Sequence, residues 1–224
     1  MLRVGLTGGL GSGKSTVGSM LAQRGAYVLQ ADEIGRAMME PGQAVYRAIV
    51  ERFGAGVVKG GGRRAGELDR AELARIAFTE GRVEELNAIV HPAVIARQGE
   101  MTEEITRRDP GAVVVVESAL IFETKHGAPD GWRTRFDRLI LVTAPRDLML
   151  KRYLERVQSR RAELPVEARE LAASDARRRM ALQMPDEEKA AFCDYFLWNG
   201  GDLSELERAV EELWPVLKKA AMAG

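Results

Sequence analysis

The sequence predicts an α/β protein whose core is a parallel β-sheet flanked by helices. Three observations predict it. Short apolar runs without polar alternation, of the kind buried on both faces, recur at Arg3 to Thr7, Ala112 to Val116 and Arg138 to Thr143. Helical periodicity fills the intervals between them, as right-handed crossovers between parallel strands require. A glycine-rich turn follows the first run and opens directly into a helical pattern.

Taken in order, Arg3 to Thr7 reads as the first strand and Ser15 to Arg24 as the first helix. Tyr27 to Leu29 reads as a short second strand. From Asp32 to Asp109 the pattern is almost entirely helical, with segments at 34–39, 44–53, 70–78 and 92–107 and a glycine-rich break from Gly54 to Gly66. This is too much helix for one crossover and predicts an inserted helical subdomain. The two remaining apolar runs and Tyr195 to Trp198 complete a five-stranded sheet, with helices at 147–157 and 203–217. The expected division is therefore a core of 1–31, 110–150 and 185–224, a helical subdomain of 32–109, and an arginine-rich segment of 151–184.

Composition narrows the function classes. With 33 Lys+Arg against 33 Asp+Glu in 224 residues, no global field favours nucleic acid or an anionic membrane. One cysteine, Cys193, excludes an internal disulfide, and two histidines beside it supply no structural zinc set. No stretch reaches the ~20 apolar residues of a membrane span. The amino terminus lacks a long apolar leader pattern, so the expected compartment is the cytosol. Neutrality hides one local bias: between Lys151 and Arg179 nine basic residues stand among five acidic ones. That segment reads either as a solvated helical hairpin or as an arginine lid that closes over phosphates.

Gly8-Gly9-Leu10-Gly11-Ser12-Gly13-Lys14-Ser15 satisfies G-x-x-x-x-G-K-[ST] in a strand–loop–helix context, and Thr16 follows in the helix. Glycines allow backbone N–H groups to turn inward as an anion nest, and the helix amino terminus adds partial positive charge. Gly11, Ser12 and Gly13 would cradle the phosphates, Lys14 would reach the β- and γ-phosphates, and Ser15 would ligate Mg²⁺. This is a nucleoside triphosphate site on a P-loop NTPase fold. GTPase signatures are absent in any useful form. Asp32-Glu33-Ile34-Gly35 echoes D-x-x-G too soon after the loop, and Asn199-Gly200-Gly201-Asp202 lacks the lysine of N-K-x-D. A small kinase acting on a metabolite remains.

Transfer to a hydroxyl calls for a carboxylate near the acceptor. Asp32, after the second strand, reads either as that base or as a helix N-cap. Glu117 ends the valine strand and reads either as a holder of Mg²⁺ or its waters, or as an ordinary polar strand end. His91-Pro92 reads most simply as a residue preceding a helix that starts with proline at its first position.

With these pieces placed, the sequence resembles the dephospho-CoA kinase family from the first strand nearly to the end. Gly5 to Val17 is similar to the family's opening, and Ala31-Asp32-Glu33-Ile34 with Arg36 to its D-A-D-x-[IV]-x-R element. Leu68-Asp69-Arg70, Leu73 and Phe78, then Leu86, Ile89 and His91-Pro92, resemble its helical-domain signature. Ser118 to Glu123 resembles its D-x-P-L-L-F-E strand end. Arg152, Arg156 and Arg179-Met180 through Gln183-Met184-Pro185 resemble its lid, and Asp194 with Asn199-Gly200 its ending.

The resemblance implies ATP-dependent phosphorylation of the ribose 3′-hydroxyl of dephospho-CoA, the last step of coenzyme A synthesis. ATP and dephospho-CoA would be its small-molecule partners. It implies Asp32 as base, Arg36 and His91 on the acceptor side, Arg152, Arg156 and Arg179 as lid contacts, and Asn199 near the adenine. The subdomain of 32–109 would then bind the CoA moiety and 151–184 would be the lid. The chain departs from the family pattern at Gln30, Glu117, Ala119 and Met149, and its interval from Arg156 to Arg179 is longer. Two other readings stand beside this one: a kinase for a nucleoside monophosphate or another small metabolite, and a catalytically silent nucleotide-binding protein.

Overall fold

The computed structural model describes residues 1–62, 64–124, 131–159 and 166–223. In chain order the elements are β1 (Leu2–Thr7), α1 (Lys14–Gln23), β2 (Tyr27–Gln30), α2 (Ala31–Met38), α3 (Ala44–Phe53), α4 (Arg70–Thr79) and α5 (Val83–Arg108). These are followed by β3 (Val113–Glu117), β4 (Arg138–Thr143), α6 (Arg146–Ser159), α7 (Val166–Leu182), α8 (Asp186–Ala190), β5 (Tyr195–Trp198) and α9 (Leu203–Ala223). The strands form one parallel sheet in the order β2-β3-β1-β4-β5. Register places Leu6 opposite Glu117 and Thr7 opposite Leu141. From β1 the chain builds β2 and β3 on one side and then β4 and β5 on the other. The carboxyl end of β1 therefore lies at the topological switch point, where open α/β sheets bind ligands.

The chain divides into two compact units, one of 1–29, 104–123 and 132–224, the other of 30–103 and 124–131. In the first unit, Val4, Leu6, Val113, Val115, Ile140 and Val142 pack with Val17 and Leu21 of α1. The stripe Leu206, Val210, Leu213, Leu217 and Ala221 of α9 closes that side of the core. This stripe explains why α9 runs beyond the expected end at Leu217: Ala221 is buried, and its carbonyl accepts from the Met1 ammonium at 3.1 Å.

The second unit has its own core of Val45, Ile49, Val57, Leu68, Leu73 and Ile76, against which Leu86, Ile89, Val90 and Ala93 of α5 pack. Across the glycine-rich break an antiparallel bridge joins Val58 to Leu68. Asp69 then caps α4, accepting from the N–H groups of Ala71 at 3.0 Å and Glu72 at 3.2 Å.

Two helix starts differ from expectation. No helix begins at Pro92; α5 passes through it as one element from Val83 to Arg108. Interior proline costs about 3 kcal/mol. Apolar side chains on both sides of Pro92 pack on the same cluster and hold the helix continuous. Nor is Asp32 an N-cap. Helix α2 starts at Ala31 with Gln30 at the cap position, so Asp32 lies inside the first turn with its side chain exposed.

A buried ion pair ties the segment after α7 to the loop after β3. The Lys189 side chain has 0% exposure, and its Nζ lies 3.5 Å from Glu123 Oε1, which also accepts from the Met184 N–H at 2.8 Å. Truncating Glu123 to alanine strands the ammonium in the interior, an expected loss of roughly 3–5 kcal/mol. Chemical denaturation checks this, and pairing Glu123→Ala with Lys189→Met should recover most of the loss. An unchanged unfolding free energy in the single variant would show that the pair carries nothing.

Candidate functional site

Helix α1 is built to leave its amino terminus open. Its N-cap is Gly13, at φ +100°, with no side chain capping the first turn and no acidic residue within it. The glycine cap offers the first amides of α1 no side-chain acceptor of its own, next to the positive end of the dipole. Glycine at positions 11 and 13 is dictated by close approach as well as by positive φ. A Cβ on Gly11 would collide with the Met149 carbonyl, and one on Gly13 with the Asn199 amide. The Lys14 ammonium lies over the turn, donating to the carbonyls of Gly8 and Gly9, each at 2.9 Å. Ser15 and Thr16 are exposed in the first turn, while Ser12 is fully buried within the loop.

Register between β1 and β3 brings Glu117 beside α1, where the Ser15 hydroxyl donates to its Oε1 at 2.7 Å. Its second oxygen, Oε2, is buried and accepts no hydrogen bond among the described residues. A hydroxyl and a carboxylate with a spare oxygen form a hard-oxygen set. Among the described residues no group of three or more His, Cys, Asp or Glu forms a metal cage. Few protein ligands with the balance from water and phosphate is the habit of Mg²⁺, and Ser15 with Glu117 fits it.

Behind the loop stands Asn199, 7% exposed. Its amide donates to the Ser12 carbonyl at 2.8 Å in a buried bond, and its own N–H donates to the Thr143 carbonyl at 2.8 Å. The Asn199 carbonyl accepts from Arg152 Nη1 at 2.7 Å. Arg152 and Arg156 both lie on α6; the Arg156 guanidinium is exposed, 5.5 Å from the Tyr153 ring centre. Arg179 belongs to α7, and its side chain is outside the described residues.

Sequence reasoning missed two residues here. Asp186, at the start of α8, accepts from the Thr143 hydroxyl at 2.7 Å, close to the space above Gly9. Lys189 is hidden in the polar tetrad Asp186-Glu187-Glu188-Lys189, which reads as a solvated first turn. Only its long-range partner distinguishes it. Cys193 is half-buried, and its thiol is pushed up to about 11 by burial and then by the neighbouring Asp194 carboxylate. A thiol so raised is held in its protonated form near neutrality.

Asp32, Arg36 and His91 belong to the second unit. Asp32 and Arg36 are exposed and one turn apart on α2, so they share a face. Gly35 between them is buried, and a Cβ there would make an ordinary van der Waals contact with Val94 at 3.5 Å, so space alone does not require the glycine. His91 is half-buried within α5. Among the described residues, no helix is long and apolar enough to cross a membrane.

A family profile described as dephospho-CoA kinase matches residues 2–205. Relatives named dephospho-CoA kinase include one from Corynebacterium diphtheriae, 37% identical over 212 residues, with 94% of each chain covered. Another, from Moorella thermoacetica, is 35% identical over 220 residues, covering 98% of this chain and 93% of its own. A crystal structure from Thermus thermophilus is 32% identical, with a TM-score of 0.68 and coverage of 96% and 97%. Dephospho-CoA kinase from Campylobacter jejuni shares the fold at 19% identity, with a TM-score of 0.57 and 97% of each chain covered. Extending from β1 into α9, these matches take in the loop, both units and the Asn199 turn, and the chain belongs to the dephospho-CoA kinase family.

Proposed function

We propose that this chain transfers the γ-phosphoryl group of ATP to the ribose 3′-hydroxyl of dephospho-CoA, releasing ADP and coenzyme A. The observation that carries the reading is the open, glycine-capped amino terminus of α1 under Lys14, in a chain matched to this family over residues 2–205. Amides of Gly11 to Thr16 hold the triphosphate, and Lys14 leaves its carbonyl partners to neutralise charge on the transferring group. Ser15 and Glu117 hold Mg²⁺, which when bound offsets charge on the β- and γ-phosphates. As the 3′-oxygen bonds to the γ-phosphorus, the bond to the β–γ bridging oxygen breaks and Asp32 takes the hydroxyl proton. Arg36 and His91 bind the acceptor, with 32–109 as its subdomain. Arg152, Arg156 and Arg179 act from the segment 151–184, the lid over the phosphates.

A coupled ADP-release assay across a panel of acceptors tests this. Turnover with dephospho-CoA is the expected result. Turnover confined to a nucleoside monophosphate or another metabolite would overturn the acceptor assignment, and none with any acceptor would overturn the kinase reading.

A further inference from the structure

Asn199 carries more bonds to the phosphate loop than its place at the end of β5 requires. One residue contacts the loop twice, through the hydrogen bond to Ser12 and the tight packing on Gly13. Its main chain is pinned on both sides, by the Thr143 carbonyl at the end of β4 and by Arg152 of α6. The bond to Ser12 spans 187 positions in sequence and is buried, so water cannot replace it when it is lost. The carboxamide nitrogen is committed to the loop.

We infer that Asn199 is a positioning residue of the triphosphate loop, contributing to ATP binding through Ser12 and Gly13 and independently of the base. It also links the loop to the arginine-bearing helix α6, so an arginine engaged at the phosphates and the loop beneath them share one anchor. The inference rests on the reading of residues 8–16 as the triphosphate site. Loss of the amide leaves the Ser12 carbonyl buried and unpaired, and the loop is no longer held in the shape the phosphates need.

The test compares the parent chain with Asn199→Ala and with Asn199→Asp, which keeps the volume and both main-chain bonds but removes the donor. Calorimetry reads binding of ATP, GTP and inorganic tripolyphosphate, and steady-state kinetics read KM for each substrate. In the variants, affinities for ATP and tripolyphosphate should fall by the same factor, about five- to a hundred-fold. The ATP-to-GTP preference and KM for dephospho-CoA should stay at parental values. A fall for ATP with parental tripolyphosphate binding would place the side chain on the base and overturn the inference. Parental affinity for both would overturn it too.

A measurement on the parent covers the case in which neither variant folds. The Asn199 carboxamide resonances should resist solvent exchange and shift with tripolyphosphate but not with adenosine, and the reverse response overturns the inference. A parent chain that fails to bind tripolyphosphate would sink the loop assignment along with it, whereas parental binding in the variants sinks the role of Asn199 alone.

Discussion

Replacing Lys14 with alanine is expected to reduce turnover by at least about 10³-fold while leaving the fold intact. The size follows from the chemistry. Removing a single preorganised donor from a developing oxyanion already costs about 10²–10³, and Lys14 brings a full positive charge to a transition state whose charge spreads over the γ-phosphoryl oxygens. The structural cost is small by comparison. The half-buried ammonium bonds to two loop carbonyls, those of Gly8 and Gly9, and its removal leaves the α1 packing through Val17 and Leu21 in place. Melting temperature should therefore move by only a few degrees. Turnover within tenfold of the parent would remove this loop from the reaction.

Asp32→Asn is expected to lower kcat by roughly 10² to 10⁴, the range of general base catalysis. A loose phosphoryl transition state needs the base late, which pulls the effect toward the lower end. ATP binding should be nearly unchanged. The competing explanation of Asp32 as a helix cap is removed by the start of α2 at Ala31. What Asp32 gives the helix is a negative charge in the first turn, worth about 0.3–1 kcal/mol. Asp32→Ala should thus be about as slow as the asparagine variant, with a similar, small loss of stability in both. Measuring kcat and melting temperature for the two variants separates the roles. Near-parental turnover in Asp32→Asn would exclude it as base and direct attention to Glu117.

The legible parts of this chain are those set by near neighbours. The strands at 138–143 and 195–198 and the helix at 44–53 have the ends that their apolar runs and flanking residues announce. The phosphate loop is legible for the same reason, since a nest of amides needs glycines and a helix start within nine consecutive residues. Less legible was the passage of α5 through Pro92. Local propensity places a helix start there, but the side chains of Leu86, Ile89, Val90 and Ala93 outweigh it by packing on one shared cluster. The start of α2 lies at Ala31 and not at 34, with Gln30 in place of Asp32 at the cap position, and those few residues decide whether Asp32 caps the helix or projects from it.

By itself the sequence determined the layered α/β class, the triphosphate loop and the family, because periodicity and motif spacing are properties of short segments and of their order. Tertiary structure alone decided what the distant polar residues do. Nothing near Asn199 in sequence points to the Ser12 carbonyl, and nothing near Lys189 points to Glu123. Both are buried polar groups, and burial is settled only when strands and helices from remote parts of the chain pack together. Once water is excluded, an amide or an ammonium must take its partner from whatever the fold has brought within reach.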